Sequence, residues 1–142
     1  MLRLYLDLCC FNRPFDDQSQ LRVKLETEAK LAIQERILEG VYEFVWSYII
    51  DFENAQNPFP AKMNSIEDWR AFACTNVSEN DSILSFAESL AEKGIKLYDA
   101  LHISCAVEMQ CDYFVTTDRK LLNTSVQGIK IISPIRFIEE QG

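Results

Sequence analysis

The chain has 142 residues, 48% of them apolar, and carries 22 acidic against 14 basic side chains for a formal net charge of −8. That length and apolar content suit one ordinary globular domain with a real core, so a single domain over residues 1–142 is expected. The negative balance excludes passive attraction as the means of holding nucleic acid, and leaves local basic groups or bound cations for any contact with a polyanion.

The first element is the run "LRLYLDLCC", a short apolar run with an acid at Asp7, more consistent with a strand buried on both faces than with a half-exposed one. A turn-like "NRPFDD" follows, and then residues 18–39 place Leu21, Leu25, Ala29, Ala32, Ile33 and Ile37 on a helical stripe that Gly40 terminates. "VYEFVWS" is a second strand. Ser47 is placed to cap a helix through "YIIDFENAQN" that ends before Pro58. Ile66, Trp69 and Ala73 recur at helical spacing in "IEDWRAFA", and Ser78 with Asp81 can open a helix running to Lys93 and closed by Gly94. A further helix follows Asp99, with Ala100, Ile103, Ala106 and Val107 inward, and leads into the strand "CDYFVTT". The short strand "IKIIS" precedes a last helix begun by Pro134. Strands alternating with helices predict an α/β fold, a three-layer sandwich with a central parallel β-sheet flanked by helices.

No apolar run approaches bilayer-spanning length, and the amino end lacks the features of a signal peptide. Cys9, Cys10, Cys74, Cys105 and Cys111 include no CxxC pair, and no histidine stands at zinc-finger spacing. A soluble, cytoplasmic protein with reduced cysteines and no membrane contact is the expectation.

In open parallel α/β sheets ligands bind at the carboxyl ends of strands, where the strand order reverses. Asp7 ends the first strand, Asp118 ends "YFVTT", and Asp99 opens the helix that feeds that strand. Glu53 follows Ser47 by six residues, nearly two helical turns, so it can face back to the same edge. Four carboxylates in one pocket repel one another unless they share protons or bind cations. An all-oxygen donor set favours hard ions such as Mg2+ or Mn2+ over zinc, and such an ion can bridge an acidic protein to a polyphosphate.

The blocks "YLD", "SYIIDFE", "YDALHISCA" and "DYFVTTD" resemble, in order and spacing, the four acidic blocks of the PIN domain family, over nearly the whole chain. The resemblance implies a PIN-like parallel sandwich and a Mg2+- or Mn2+-dependent ribonuclease, as in VapC-like toxins restrained by an antitoxin protein. Carried onto this chain, it implies that Asp7, Glu53, Asp99 and Asp118 form the metal site and that Thr116 orients a carboxylate or a water there. It further implies hydrolysis of RNA phosphodiesters to 5′-phosphate and 3′-hydroxyl ends, and a homodimer. Two departures stand out: Leu8, Cys9 and Cys10 offer no hydroxyl after the first acid, and Arg119 and Lys120 stand where some relatives carry a further acid.

The alternative is a catalytically weak or inactive PIN-like module that binds RNA or a partner protein. An aspartyl-phosphate enzyme ranks lower, because "DLCC" lacks a second aspartate two positions on. His102, one turn after Asp99, is read as packing and hydrogen-bonding at the helix surface, with a general base as the sharper option. Asn12, Arg13, Asp16 and Asp17 are read as a polar loop at the active edge, with substrate contact as the sharper option, and Cys9 and Cys10 as buried rather than nucleophilic.

Overall fold

The computed structural model describes residues 1–141. Five strands, β1 (Leu2–Leu6), β2 (Tyr42–Ser47), β3 (Thr75–Val77), β4 (Tyr113–Val115) and β5 (Lys130–Ile132), pair in the order β3-β2-β1-β4-β5. Every pairing is parallel, and β1 is the centre, with Leu4 opposite Phe44 on one side and Tyr113 on the other. The helices are α1 (Leu8–Asn12), α2 (Leu21–Leu38), α3 (Tyr48–Asn54), α4 (Pro60–Glu67), α5 (Asp81–Glu92), α6 (Leu97–Glu108), α7 (Arg119–Leu122) and α8 (Pro134–Gln141).

The chain builds outward from β1 through β2 to β3, then returns to the other side of β1 for β4 and β5. Right-handed crossovers made in opposite directions lay their helices on opposite faces of the sheet. Accordingly α2 packs with α8 and α5 with α6, which completes the expected three-layer sandwich. The reversal falls between β1 and β4, so the carboxyl ends of those two strands frame the crevice where such sheets bind ligands. Consecutive residues of the central strands are buried on both faces: Leu4, Tyr5 and Leu6 in β1, and Phe44, Val45 and Trp46 in β2. Tyr5 stacks on Phe114 of β4 with ring centroids 5.4 Å apart, and Phe11 meets Trp46 edge to face at 5.6 Å.

Several boundaries differ from the sequence reading. β1 stops at Leu6, because the Asp7 carboxylate accepts the Leu8 amide and starts α1, so Cys9 and Cys10 are helical rather than in the strand. The edge strand β3 has no counterpart in the sequence reading: three residues, one of them exposed, leave no periodicity to detect. The segment read as a helix over 66–73 is instead the end of α4, opened by Pro60, followed by a 3-10 turn over Asp68–Phe72. Asn80, not Ser78, caps α5 by accepting the Ile83 amide, and Asp81 is its first residue. Gly40 and Gly94 do end α2 and α5, both with positive φ (79° and 100°), the left-handed backbone that favours glycine.

The largest correction concerns α2. Leu21 and Leu25, placed on the buried stripe by their spacing, are exposed, and the buried face runs through Val23, Glu26, Thr27, Lys30, Ile33, Gln34 and Ile37. A helix whose inward face carries two charged side chains and an amide hides its orientation from any pattern based on hydropathy. Among the described residues no helix is long and apolar enough to cross a membrane.

Candidate functional site

Asp7 leaves the end of β1, and its backbone amide still donates to Val115 of β4 (2.9 Å), which fixes it at the reversal point. The side chain is 6% exposed and fully engaged. Its Oδ1 accepts the Leu8 amide at 2.8 Å, and its Oδ2 accepts the Thr116 hydroxyl at 2.8 Å and the Cys9 thiol at 3.4 Å. Thr116 therefore orients a carboxylate, and its Oγ1 also accepts the Asp118 amide at 3.1 Å. Cys9 fills the place after the first acid where a hydroxyl is absent. Its sulfur additionally lies 3.4 Å from Thr116 Oγ1 and accepts the Thr117 amide at 3.3 Å.

Asp118 follows β4 and caps α7, its Oδ1 accepting the amides of Lys120 (2.8 Å) and Leu121 (3.3 Å). Asp99 is not a cap. α6 begins at Leu97, the Lys96 side chain makes no capping bond, and Asp99 lies within the first turn, where the helix dipole favours an acid. Among the described residues Asp99 makes no side-chain hydrogen bond or ion pair, although it is half-buried. Burial, and then the charges of Asp7, Asp118 and, less strongly, Glu53, raise its carboxyl to about 6, against a pull in the other direction from His102. The fields of all three other acids thus meet at Asp99. Asp99 and Asp118 also line one small cavity of about 100 Å³ with Lys96, Lys120 and Thr124.

Glu53 and Asp51, two residues apart on α3, are sorted by their partners. Asp51 accepts from Trp46 Nε1 at 2.9 Å and pairs with Arg70 at 3.7 Å. Glu53 reaches α6, where its Oε1 accepts from His102 Nε2. His102 is only 1% exposed, so it is not a surface residue as its spacing suggested. Its Nδ1 lies 2.6 Å from the Tyr5 hydroxyl, which lies 2.6 Å from Ser47 Oγ, and Ser47 also accepts the Ile50 amide at 3.4 Å. A carboxylate only accepts, so Nε2 carries a hydrogen; the bonds then run from Ser47 through Tyr5 to Nδ1 for a neutral ring and from Nδ1 through Tyr5 to Ser47 for an imidazolium. Burial raises the Tyr5 phenol well above its usual range and keeps it a donor. The chain Ser47–Tyr5–His102 is a buried strut that sets the direction of Glu53.

Glu53 lines a second cavity, with Leu8, Asn12 and Lys62, rather than the one shared by Asp99 and Asp118. Among the described residues no group of three or more His, Cys, Asp or Glu side chains stands close enough to hold a metal ion as arranged. Hydrogen bonds hold three of the four acids: Asp7 through Leu8 and Thr116, Asp118 through its cap, and Glu53 through His102. Each of the last two engages one carboxylate oxygen only, and Asp99 neither, so oxygen donors remain on three of the four acids. That donor set does not form an all-protein cage, but it suits a hydrated hard cation, which takes one or two carboxylates and keeps its waters.

The loop after β1 is not free. Arg13 Nε pairs with Glu26 of α2 at 3.0 Å and its Nη1 with Asp16 at 2.8 Å, while Asp17 accepts the Ser19 amide within the loop. Cys105 and Cys111 are pushed up to about 12 by burial, which leaves them inert as nucleophiles. Sequence reasoning missed the roles of His102 and Cys9. The signal for His102 was its spacing of three from Asp99; for Cys9 it was only its place two residues after Asp7.

No protein-family model matches the sequence, and no curated protein matches it. Solved structures do match. One is a chain of DNA-bound VapBC from Salmonella typhimurium, 18% identical, with a TM-score of 0.56, covering 94% of this chain and 99% of that one. Another is a chain of VapBC2 from Rickettsia felis bound to a promoter DNA fragment, 13% identical, with a TM-score of 0.59, covering 93% of this chain and 98% of that one. At such identities the likeness speaks for the fold, which these chains share over 93–94% of this one.

Proposed function

From a PIN-like fold whose switch point is lined by acids, we infer a divalent-metal-dependent endoribonuclease that hydrolyses RNA phosphodiester bonds in the cytoplasm, the toxin member of a toxin–antitoxin pair. The observation that carries this reading is Asp99, a half-buried carboxyl raised to about 6 and without a protein partner among the described residues, on which the charges of Asp7, Asp118 and Glu53 converge. An acid so placed calls for a cation. The VapBC likeness supports an antitoxin as partner, and we extend it to a homodimer.

In this reading Asp99, with Asp118 Oδ2 and Glu53 Oε2, would hold Mg2+ or Mn2+, and Asp7, both of whose oxygens already accept hydrogen bonds, would add its negative charge and the remaining lone pair of Oδ1. When bound, the ion supplies Lewis-acid polarisation of the scissile phosphate and lowers the pKa of water. The protein's own part is orientation. Thr116 and Cys9 fix the Asp7 carboxylate by their bonds to Oδ2, and His102 fixes Glu53. Lys120, at the wall of the Asp99 cavity, offers an ammonium to a phosphate that enters beside the acids.

The absence of a preformed metal cluster among the described residues favours a second reading, a module that binds RNA or a partner without cutting. Incubating purified protein with labelled single-stranded and structured RNA separates the two. The nuclease reading predicts cleavage with Mg2+ or Mn2+, abolished by EDTA and restored by excess Mn2+, with 5′-phosphate and 3′-hydroxyl ends. Retention of RNA without cleavage under all these conditions would favour the binding module.

A further inference from the structure

Lys30 lies on the inward face of α2 and is 4% exposed, yet no carboxylate pairs with it among the described residues. Glu26, one turn earlier and the natural partner for an i,i+4 pair, is turned to Arg13 and Arg22 instead. The Lys30 ammonium lies over the face of the Phe11 ring, 5.4 Å from its centroid, and burial lowers its pKa to about 8 against a smaller opposing pull from Cys10. One turn further along α2, Gln34 is 3% exposed and its amide nitrogen is buried without a hydrogen-bond partner. Both side chains line a cavity of about 220 Å³ with Phe11, Phe15, Ile66 and Trp69.

An unsatisfied amide donor and an ammonium without a carboxylate partner, set in apolar and aromatic walls, define the missing group. It is an anionic acceptor, because a neutral acceptor leaves the buried charge uncompensated. It is carried on a small flat apolar body, because the space is about 220 Å³ and three of its walls are aromatic rings. A phosphate on a hydrated nucleic-acid backbone meets the first requirement and not the second. We propose that the cavity between α1, α2 and α4 is a binding site for a small apolar carboxylic acid, with Lys30 and Gln34 as the donors to its carboxylate. The site uses none of the four acids at the β1/β4 crevice and stands whether or not the chain cuts RNA.

Thermal unfolding at pH 7 with phenylacetate, and with 2-phenylacetamide as its neutral isostere, tests this directly. Phenylacetate at ten times its dissociation constant raises Tm by about 5 °C and the amide leaves it unchanged. In Lys30→Met the response to phenylacetate is lost while the ligand-free Tm rises, since an uncompensated buried charge has gone. Gln34→Leu weakens binding of the acid by about tenfold. Should Lys30→Met fail to fold, Lys30→Gln removes the same charge and carries the comparison. The proposal is overturned if the amide matches the acid, if the acid acts equally on the Lys30 variant, or if millimolar acid moves neither Tm nor any amide resonance of Phe11, Gln34 and Trp69.

Discussion

Replacing Asp99 with asparagine is expected to cut metal-dependent RNA hydrolysis by about 10²–10³-fold and, in the same protein, to raise the metal-free Tm at neutral pH. The two effects share one cause. The Asp99 carboxyl titrates near 6 when folded, above its ordinary 3.8, so the folded state holds that proton more tightly than the unfolded chain does. Well below 3.8 both states are protonated and no cost arises; the cost grows as pH rises from about 4 to about 6 and is complete above that. The shift alone corresponds to about 3 kcal/mol, and solvent screening of a half-exposed group reduces this to about 1–2 kcal/mol. Asparagine removes the charge, so at pH 7 the variant melts about 3–7 °C higher without metal, and the gain fades as pH falls below 4. Mn2+ reverses the order, stabilising the wild type and not the variant. Thermal scans at pH 3.5 and 7, each with EDTA and with Mn2+, check all four values. An unchanged pH 7 melting temperature would remove the electrostatic argument for the site.

Arg13→Met is expected to destabilise the protein by about 3 kcal/mol, lowering Tm by about 10 °C. Glu26 is 1% exposed and depends on Arg13 at 3.0 Å, with Arg22 at 3.6 Å as the weaker second partner. Removing Arg13 leaves a buried carboxylate with one distant guanidinium, the situation in which breaking a buried pair is most costly. It also releases Asp16 from the same side chain, while the backbone carbonyl of residue 13 keeps its bonds from Gln18 and Thr27. The double variant Arg13→Met, Glu26→Leu should recover most of the loss, since neither charge then remains buried. Denaturant titration of the single and double variants measures this, and equal losses in both would show that packing, not the ion pair, carries the effect.

The central strands were legible because burial on both faces writes a continuous apolar run, as in Leu4–Leu6 and Phe44–Trp46. The acids were legible as strand-end and helix-start residues, and the reversal between β1 and β4 places Asp7 and Asp118 at one edge. What stayed hidden depends on partners distant in sequence. β3 is a strand only because β2 lies beside it, with Val45 opposite Thr75. The inward face of α2 is polar because Arg13 satisfies Glu26 there, which no local pattern records. His102 reads as a surface residue until Tyr5 and Glu53, 97 and 49 positions away, are seen to hold it. That Asp51 is the residue tied to Trp46 and Arg70 while Glu53 turns to α6 was likewise a matter of tertiary contact.

The central claim is that these acids bind a divalent cation through Asp99. Calorimetric titration of the metal-free protein with Mn2+ at pH 6 and pH 8 tests it most directly. The account predicts saturable binding at both, with protons released at pH 6, where the Asp99 carboxyl is about half protonated, and few at pH 8. It also predicts affinity at least about tenfold weaker in Asp99→Asn. No saturable binding, or binding of equal strength in wild type and Asp99→Asn, would contradict it.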